Sequence, residues 1–291
     1  MNKSRWKSIR EQAGKILARK LVLFGLILVL LWVLLALLAP WIAPYGPNEI
    51  RTEDKLQSPN LSHWFGTDNF GRDILSRILY GARVTVWTGI VSIGIACSVG
   101  IPLGAIAGFF GGKLGNVIMR VMDTLLAFPS LILAMALAAS IGPGLTGALL
   151  AVGIVAIPEF ARLMYGQTVV IKEKEFIEAG RALGVRNKAI LFKHVLPNAF
   201  APLIVQITLA LGSAVLTTSS LSFIGLGVRP PTAEWGAMIS YGRGYIISGE
   251  WWMTVFPGIA IASTIFGFIL LGDGLRDAFD PHGRNSKTKF K

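Results

Sequence analysis

The residues of this chain that could take part in chemistry are few and far apart. Three histidines, His63, His194 and His282, show none of the spacings typical of metal ligands. The single cysteine, Cys97, has no second cysteine with which to form a disulfide, and it lies in an apolar run where a packing role is expected. We therefore predict no metal site and no catalytic residue.

The segment closest to a nucleotide-binding loop is GFFGGKL at residues 108–114. A phosphate-binding loop needs a glycine five positions before its Gly-Lys pair, and a serine or threonine after the lysine. Ala107 and Leu114 occupy those two positions. The chain is therefore predicted to bind no cofactor and to have no ATP site of its own, so that energy for any driven process must come from a partner.

The composition indicates a membrane protein. Of the 291 residues, 53% are hydrophobic and 15% are charged, whereas soluble domains carry about 25% charged residues. The charges are missing from long uninterrupted stretches, which is typical of bilayer-spanning helices. The net charge of +12 does not indicate nucleic-acid binding, because basic and aromatic residues are not interleaved on a soluble face.

Charge-free runs predict an all-α integral membrane protein with six transmembrane helices. The first run, residues 21–39, is close to a full span of about 20 residues, longer than the apolar core of a cleaved signal peptide. It is expected to end at Pro40 and Pro44. The later runs are residues 84–112, residues 124–158 (divided at 141–144 into two helices), residues 199–228 and residues 251–272. The predicted segments are a cytoplasmic basic segment (1–20), a first transmembrane helix (21–43), an extracytoplasmic segment (44–83), a five-helix core (84–275) and a cytoplasmic basic tail (276–291).

Local patterns refine these segments. Ile74, Leu75, Ile78 and Leu79 recur at helical spacing, which predicts a short amphipathic helix on the membrane surface. Phe128-Pro129-Ser130 is expected to break the third helix near its start, and Trp251 and Trp252 resemble interfacial aromatics. Small residues four apart form a predicted helix-packing face: Gly100, Gly104, Gly108 and Gly112.

The distribution of basic residues predicts the orientation. If both termini are cytoplasmic, 21 of the 28 lysines and arginines lie inside and seven lie outside. This excess is the positive-inside bias of multi-pass proteins of the cytoplasmic membrane.

The most informative segment is the polar loop at residues 171–198, between the fourth and fifth predicted spans. Residues 173–183 are mostly good helix formers, and Gly184 fits a C′ position with left-handed dihedrals. Asn187 fits the N-cap of a second helix, residues 188–194, and Pro197 is expected to restart the chain into the fifth span.

One surface of this loop carries small residues between charges. Ala179, Gly180 and Ala182 would let a partner approach the helix backbone, while Glu178 and Arg181 could fix the register. The pattern alone fits a docking surface and an ordinary structured connector equally well.

The loop resembles the "EAA" loop of permease subunits in binding-protein-dependent ABC importers. The matching residues are Glu178, Ala179, Gly184, Leu196 and Pro197, while Gly180 stands where the family usually has alanine. The resemblance implies an ATPase-coupling segment that also includes Arg181, Ala182 and Leu183.

Three further segments resemble the C-type permease of dipeptide and oligopeptide importers. They are GTDNFGRD at 66–73, LSFIGLGVRPPTAEWGAMI at 221–239 and LGDGLRDAFDP at 271–281. The resemblance covers residues 20–284 and implies the permease fold of a type I ABC importer. It also implies four partners: a second homologous permease, two cytoplasmic ATPases that use ATP and Mg, and an extracytoplasmic solute-binding protein.

The implied cargo is a peptide, and nickel or glutathione is the alternative. A passive channel would leave the EAA-like loop unexplained. An ion-coupled secondary transporter would need ionisable groups at mid-span. The predicted spans place Asp123, Glu159 and Arg162 near their cytoplasmic ends instead, with Glu159 and Arg162 able to pair. Candidate residues for a translocation path lie in the fifth span: Gln206, Thr208, Ser213, Thr217 and Ser219.

Overall fold

A computed structural model describes residues 20–279, which form an all-helical bundle. The predictions for residues 1–19, residues 280–291 and His282 lie outside this range. Short helical turns occur at Thr52–Asp54, Leu191–Val195 (a π-turn) and Arg243–Tyr245. The helices are α1 (Lys20–Ile42), α2 (Ile74–Phe110), α3 (Gly112–Leu126), α4 (Ser130–Ile141), α5 (Leu145–Lys172), α6 (Glu175–Ala182), α7 (Asn187–Ile190), α8 (Leu196–Asn198), α9 (Phe200–Ile224), α10 (Trp235–Gly242) and α11 (Trp252–Phe279).

Five of the described helices, α1, α2, α5, α9 and α11, are long and apolar enough to span a membrane. The candidate for a sixth span is the pair α3 and α4, which meet at a bend of 94°. Helix α4 is about 18 Å long at 1.5 Å per residue, which is too short for a hydrocarbon core of about 30 Å. The break between Leu126 and Ser130 contains Pro129, as predicted, since proline disrupts a helix.

Contacts at the two ends of the bundle show which segments the bent pair connects. At one end, the Gly144 amide donates to the Leu226 carbonyl (3.3 Å), so the start of α5 lies beside the end of α9. At the other end, the Arg181 guanidinium lies over the Phe109 ring (5.8 Å), so the polar loop lies beside the end of α2. The α3–α4 pair connects these ends, so residues 20–279 contain five candidate spans and a bent pair that can form a sixth.

The short surface helix predicted from Ile74, Leu75, Ile78 and Leu79 is wrong as a separate element, because these residues form the first turns of α2. The Asp73 side chain caps the helix by accepting from the Ser76 amide (2.7 Å). Arg77 does not face water but is buried, and it donates to the Pro47 carbonyl (2.7 Å). The segment between α1 and α2 thus covers this side of the helix.

Helix α1 ends at Ile42, between Pro40 in its last turn and Pro44, while the interpretation of Trp252 is wrong. Trp252 is not an interfacial side chain: it is 6% exposed, and its indole N–H donates to the Thr67 carbonyl (3.1 Å). Trp251 remains 47% exposed.

Helices α2 and α5 pack closely because glycines line the contact. A methyl group added at Gly100 would lie 2.6 Å from the Ile157 carbonyl oxygen, and one at Gly104 would lie 2.1 Å from that of Ala161. At Gly108 it would lie 2.7 Å from Cβ of Thr168. Gly112 does not belong to this row, because α2 ends at Phe110 and an added methyl at Gly112 meets nothing within 4 Å.

Candidate functional site

The polar loop between α5 and α9 is fixed to the bundle by its apolar residues. Ile177 on α6 is 1% exposed, Ile190 on α7 is fully buried, and Val195 in the π-turn is fully buried. All three belong to the same hydrophobic core as the buried residues of α2, α5 and α9. Burying an aliphatic side chain of this size contributes about 1.5–3 kcal/mol, so the loop is held as part of the folded bundle.

The turn after α6 has the geometry of a Schellman motif. Gly184 has φ of +75°, which confirms the predicted left-handed C′ position. Its amide donates to the Arg181 carbonyl (2.9 Å), and the Val185 amide donates to the Gly180 carbonyl (3.0 Å). These two bonds satisfy carbonyls that a helix end leaves unpaired, and the left-handed residue makes both possible.

Two details of the second half of the loop differ from prediction. Asn187 is the first residue of α7, and Arg186 occupies the N-cap without a side-chain capping bond. Pro197 does not restart the chain but lies in α8, directly after the π-turn. Because proline has no N–H to donate, the helical bonding pattern changes before it, and the chain stays helical from Asn187 to Asn198.

The outward face of the loop is uncovered in the single chain. Glu178, Ala179 and Ala182 are exposed, and Leu183 is 83% exposed. A methyl group added at Gly180 or at Gly184 would meet nothing within 4 Å. Arg181, Gly184 and Pro197 are also exposed, while Leu196 is half-buried and packs against the core. Two aromatic side chains next to this face, Phe176 (44%) and Phe192 (64%), are exposed as well.

A second polar region lies on the bundle itself, where α5 and α9 meet. The Gln206 side-chain amide donates to the Glu159 carboxylate (3.2 Å). Glu159 lies halfway along α5, which continues to Lys172. The predicted Glu159–Arg162 pair is also absent from the ion pairs of the described residues, since Arg162 reaches across to Asp123 on α3.

The structure divides the candidate path residues of α9 into two groups. Gln206, Ser213 and Thr217 share the uncovered side of the helix, together with Ser220, which sequence reasoning missed. The four residues follow one another at intervals of seven, four and three, which places them on one side of a helix. This spacing is the signal in the sequence that could have identified Ser220. Thr208 and Ser219 lie on the opposite side and are 8% and 4% exposed, so they do not line this uncovered side.

Sequence reasoning also missed Glu234, a fully buried carboxylate at the N-cap of α10. It accepts bonds from the Gly236 amide (3.0 Å) and the Ala237 amide (2.8 Å), and the Ser219 hydroxyl lies 3.3 Å away. Burial raises the pKa of Glu234 above its ordinary value, against the effect of these bonds. The residue fixes the connection between α9 and α10 at the end of the bundle opposite the polar loop.

Known protein families and individual relatives match nearly the whole chain. Residues 100–285 match the family model described as binding-protein-dependent transport system inner membrane component. Residues 4–59 match the N-terminal transmembrane domain of oligopeptide transport permease C.

Individual relatives agree with these models. A dipeptide transport system permease protein of Alkalihalophilus pseudofirmus is 44% identical over 96% of this chain and 90% of its own length. A probable D,D-dipeptide permease of Escherichia coli is 44% identical (88% of this chain, 85% of its own). A glutathione transport system permease protein of Escherichia coli is 40% identical (95% and 89%).

Among solved structures, the inward-facing methionine ABC transporter MetNI matches with a TM-score of 0.58 and 20% identity, over 71% of this chain and 98% of the matched one. This similarity supports the predicted fold. The chain belongs to the family of inner membrane components of binding-protein-dependent transport systems, and it is a non-catalytic, multi-pass permease subunit of an ABC importer.

Proposed function

We propose that this chain is one of two transmembrane subunits of an ATP-driven importer of short peptides. The observation that carries the proposal is the 44% identity to a dipeptide permease over 96% of the chain, together with the oligopeptide-permease match at residues 4–59. A permease of this family works with a solute-binding protein and with ATPase subunits. The finer arrangement proposed is a heterodimer of homologous permeases on two ATPases.

The uncovered polar side of α5 and α9 supports a path between two permeases. We define the open face as Glu159, Arg162, Gln206, Ser213, Thr217 and Ser220. Ionisable residues at membrane depth face a bundle interior or a water-filled cavity and not lipid. In the single chain each of these residues is exposed or half-exposed, so a second permease is the cover that would enclose them. Cargo would then pass along the hydroxyl and amide groups of α9.

The polar loop is the proposed mechanical link. Its outward face, Glu178 to Gly184, would sit in a groove of one ATPase, and its buried side is already part of the bundle core. The ATPases would bind ATP and Mg, and their closure would move the loop as a rigid body. The bundle would change between inward- and outward-facing states, with both termini of this chain in the cytoplasm.

The test is growth and uptake in a strain that lacks this gene. The strain should lose growth on dipeptides supplied as the only source of a required amino acid, and the intact gene on a plasmid should restore it. Uptake of radiolabelled dipeptide, glutathione and nickel should be measured in parallel. If dipeptide uptake is unchanged while glutathione uptake collapses, the cargo is that of the glutathione permease relative and the peptide proposal is wrong.

A further inference from the structure

One carboxyl group on the open face, that of Glu159, has a neutral hydrogen-bond partner. Glu159 is exposed in the single chain, about 21 Å along α5 from Leu145 at 1.5 Å per residue. Its hydrogen-bond partner in the structure, Gln206, donates through an amide and brings no positive charge. A carboxylate at membrane depth is costly unless it faces water or meets a cation.

The charges next to Glu159 do not neutralise it. Arg162, one turn further along α5, is bound to the Asp123 carboxylate, and the two charges of that pair cancel. Within the part of the chain that the structure describes, none of the ion pairs involves Glu159. The open face therefore presents one carboxyl group without a cationic partner beside the polar stripe of α9.

This arrangement fits a cation that arrives with the cargo. We propose that Glu159, held by Gln206, binds the N-terminal ammonium group of a peptide in transit, and so favours cargo with a free α-amino group. The inference rests on the proposed function and adds a specificity-determining residue to it. Gln206 orients the carboxylate through one oxygen and leaves the other free to accept from the ammonium.

The contact would be temporary. In a wet path, an exposed carboxylate and an ammonium attract each other by about 1–4 kcal/mol at 4 Å, enough to favour entry without trapping the cargo. A neutral or N-blocked analogue would lack this attraction and would pass the same point unassisted.

The test uses the complete transporter with its binding protein in proteoliposomes. The probes are Ala-Ala and Ala-Ala-Ala, each compared with an analogue in which a hydroxyl group replaces the α-amino group. The variants are Glu159→Gln, Glu159→Asp and, as a matched acid-to-amide control on another membrane helix, Asp273→Asn. Because the binding protein is identical throughout, its own preference cancels when variants are compared with wild type.

Glu159→Gln should lower uptake of the ammonium peptides about tenfold while changing uptake of the hydroxyl analogues less than about twofold. Glu159→Asp should restore most of the uptake, and Asp273→Asn should behave like wild type. Co-purification of the ATPases and ATP hydrolysis stimulated by the binding protein should be unchanged in Glu159→Gln, which separates cargo recognition from assembly.

Four outcomes would overturn the inference. If Glu159→Gln slows both kinds of probe equally, or slows neither, Glu159 does not read the ammonium group, and peptide import by the wild type still stands. If the assembled Glu159→Asp variant is as impaired as Glu159→Gln, the charge is not the feature that matters. If the wild-type transporter carries neither peptide, the proposed function fails, and the inference fails with it.

Discussion

At the scale of single residues, the carboxylates of this chain differ mainly in what surrounds them. Glu159 faces the open side of the bundle and has an amide partner, whereas Glu234 is enclosed and accepts two backbone N–H bonds. Burial raises the pKa of Glu234, so the folded protein favours its protonated form more than the unfolded chain does. The first therefore suits a passing ligand, and the second suits a fixed structural joint.

The raised pKa of Glu234 predicts how stability depends on pH. The contribution of this group to the free energy of unfolding is fully present below its ordinary pKa of 4.5, and it falls as the pH rises through the higher folded-state value. Glu234→Gln does not titrate. As the pH rises above 4.5, the melting temperature of the wild type should therefore fall relative to that of Glu234→Gln, with both proteins measured in the same detergent. A difference that is constant with pH would contradict the prediction.

Removing the Glu234 side chain should have a larger effect. Glu234→Ala leaves the buried amides of Gly236 and Ala237 without their acceptor, which costs about 1–3 kcal/mol for each unsatisfied group. Thermal unfolding of the purified chain should show a clear loss of stability. Glu53→Ala, at an exposed position between α1 and α2, is the control and should leave the melting temperature unchanged.

At the scale of secondary-structure elements, the α2–α5 contact depends on backbone approach. Gly104→Ala would place a methyl group 2.1 Å from the Ala161 carbonyl oxygen, so a helix backbone must shift. Such overpacking costs about 1–3 kcal/mol. Gly94→Ala, on the exposed side of the same helix, meets nothing within 4 Å and serves as the matched control. Melting temperatures in detergent should fall for the first variant only; an equal response of both would contradict the close-packing account.

The loop makes a second prediction at this scale, which tests the proposed coupling. Gly184→Val forces a β-branched side chain to a φ of +75°, which breaks the Schellman turn at the proposed ATPase contact. Stimulated ATP hydrolysis and transport should be lost together, and Glu178→Arg should have the same effect by reversing an exposed charge.

The control for this experiment is Gly180→Ala, which fits the open space at that position and improves helix propensity by about 1 kcal/mol. It should retain coupling. The measurements are co-purification of ATPase subunits and transport in proteoliposomes. Full coupling in Gly184→Val and Glu178→Arg would show that the loop is only a connector.

At the scale of the whole molecule, the long helices determine which segments lie at each end of the bundle, and therefore which partners those segments can contact. Leu61 is 96% exposed between α1 and α2, and Lys174 is exposed at the start of the polar loop. With cytoplasmic termini, cysteines at these positions in a Cys97→Ala background should react with a membrane-impermeant reagent from opposite sides. Labelling of both positions in intact cells would contradict the proposed orientation.

The class of the protein and most of its helices follow from local signals in the chain. Charge-free runs located the spans because the hydrocarbon core excludes charge, and the left-handed position of Gly184 followed from local backbone chemistry. The row of Gly100, Gly104 and Gly108 and the break at Pro129 were also local signals. Each depends on residues close together in the chain, which is why one sequence was enough.

The covered side of each helix, in contrast, depends on the tertiary packing. The burial of Arg77 could not be predicted from the sequence, because its partners, Pro47 and Asn48, come from a distant segment. Thr208 and Ser219 could not be distinguished from path residues before the packing of α9 against the bundle was known.

The surroundings of Glu159 could not be predicted for a similar reason. Helix α5 continues past Pro158 to Lys172, so Glu159 lies in the middle of the helix. Its partner Gln206 is 47 residues away in the chain and meets it only where α5 and α9 pack together. Burial and hydrogen-bond partners of this kind come from segments far apart in the chain, and folding is what brings those segments into contact.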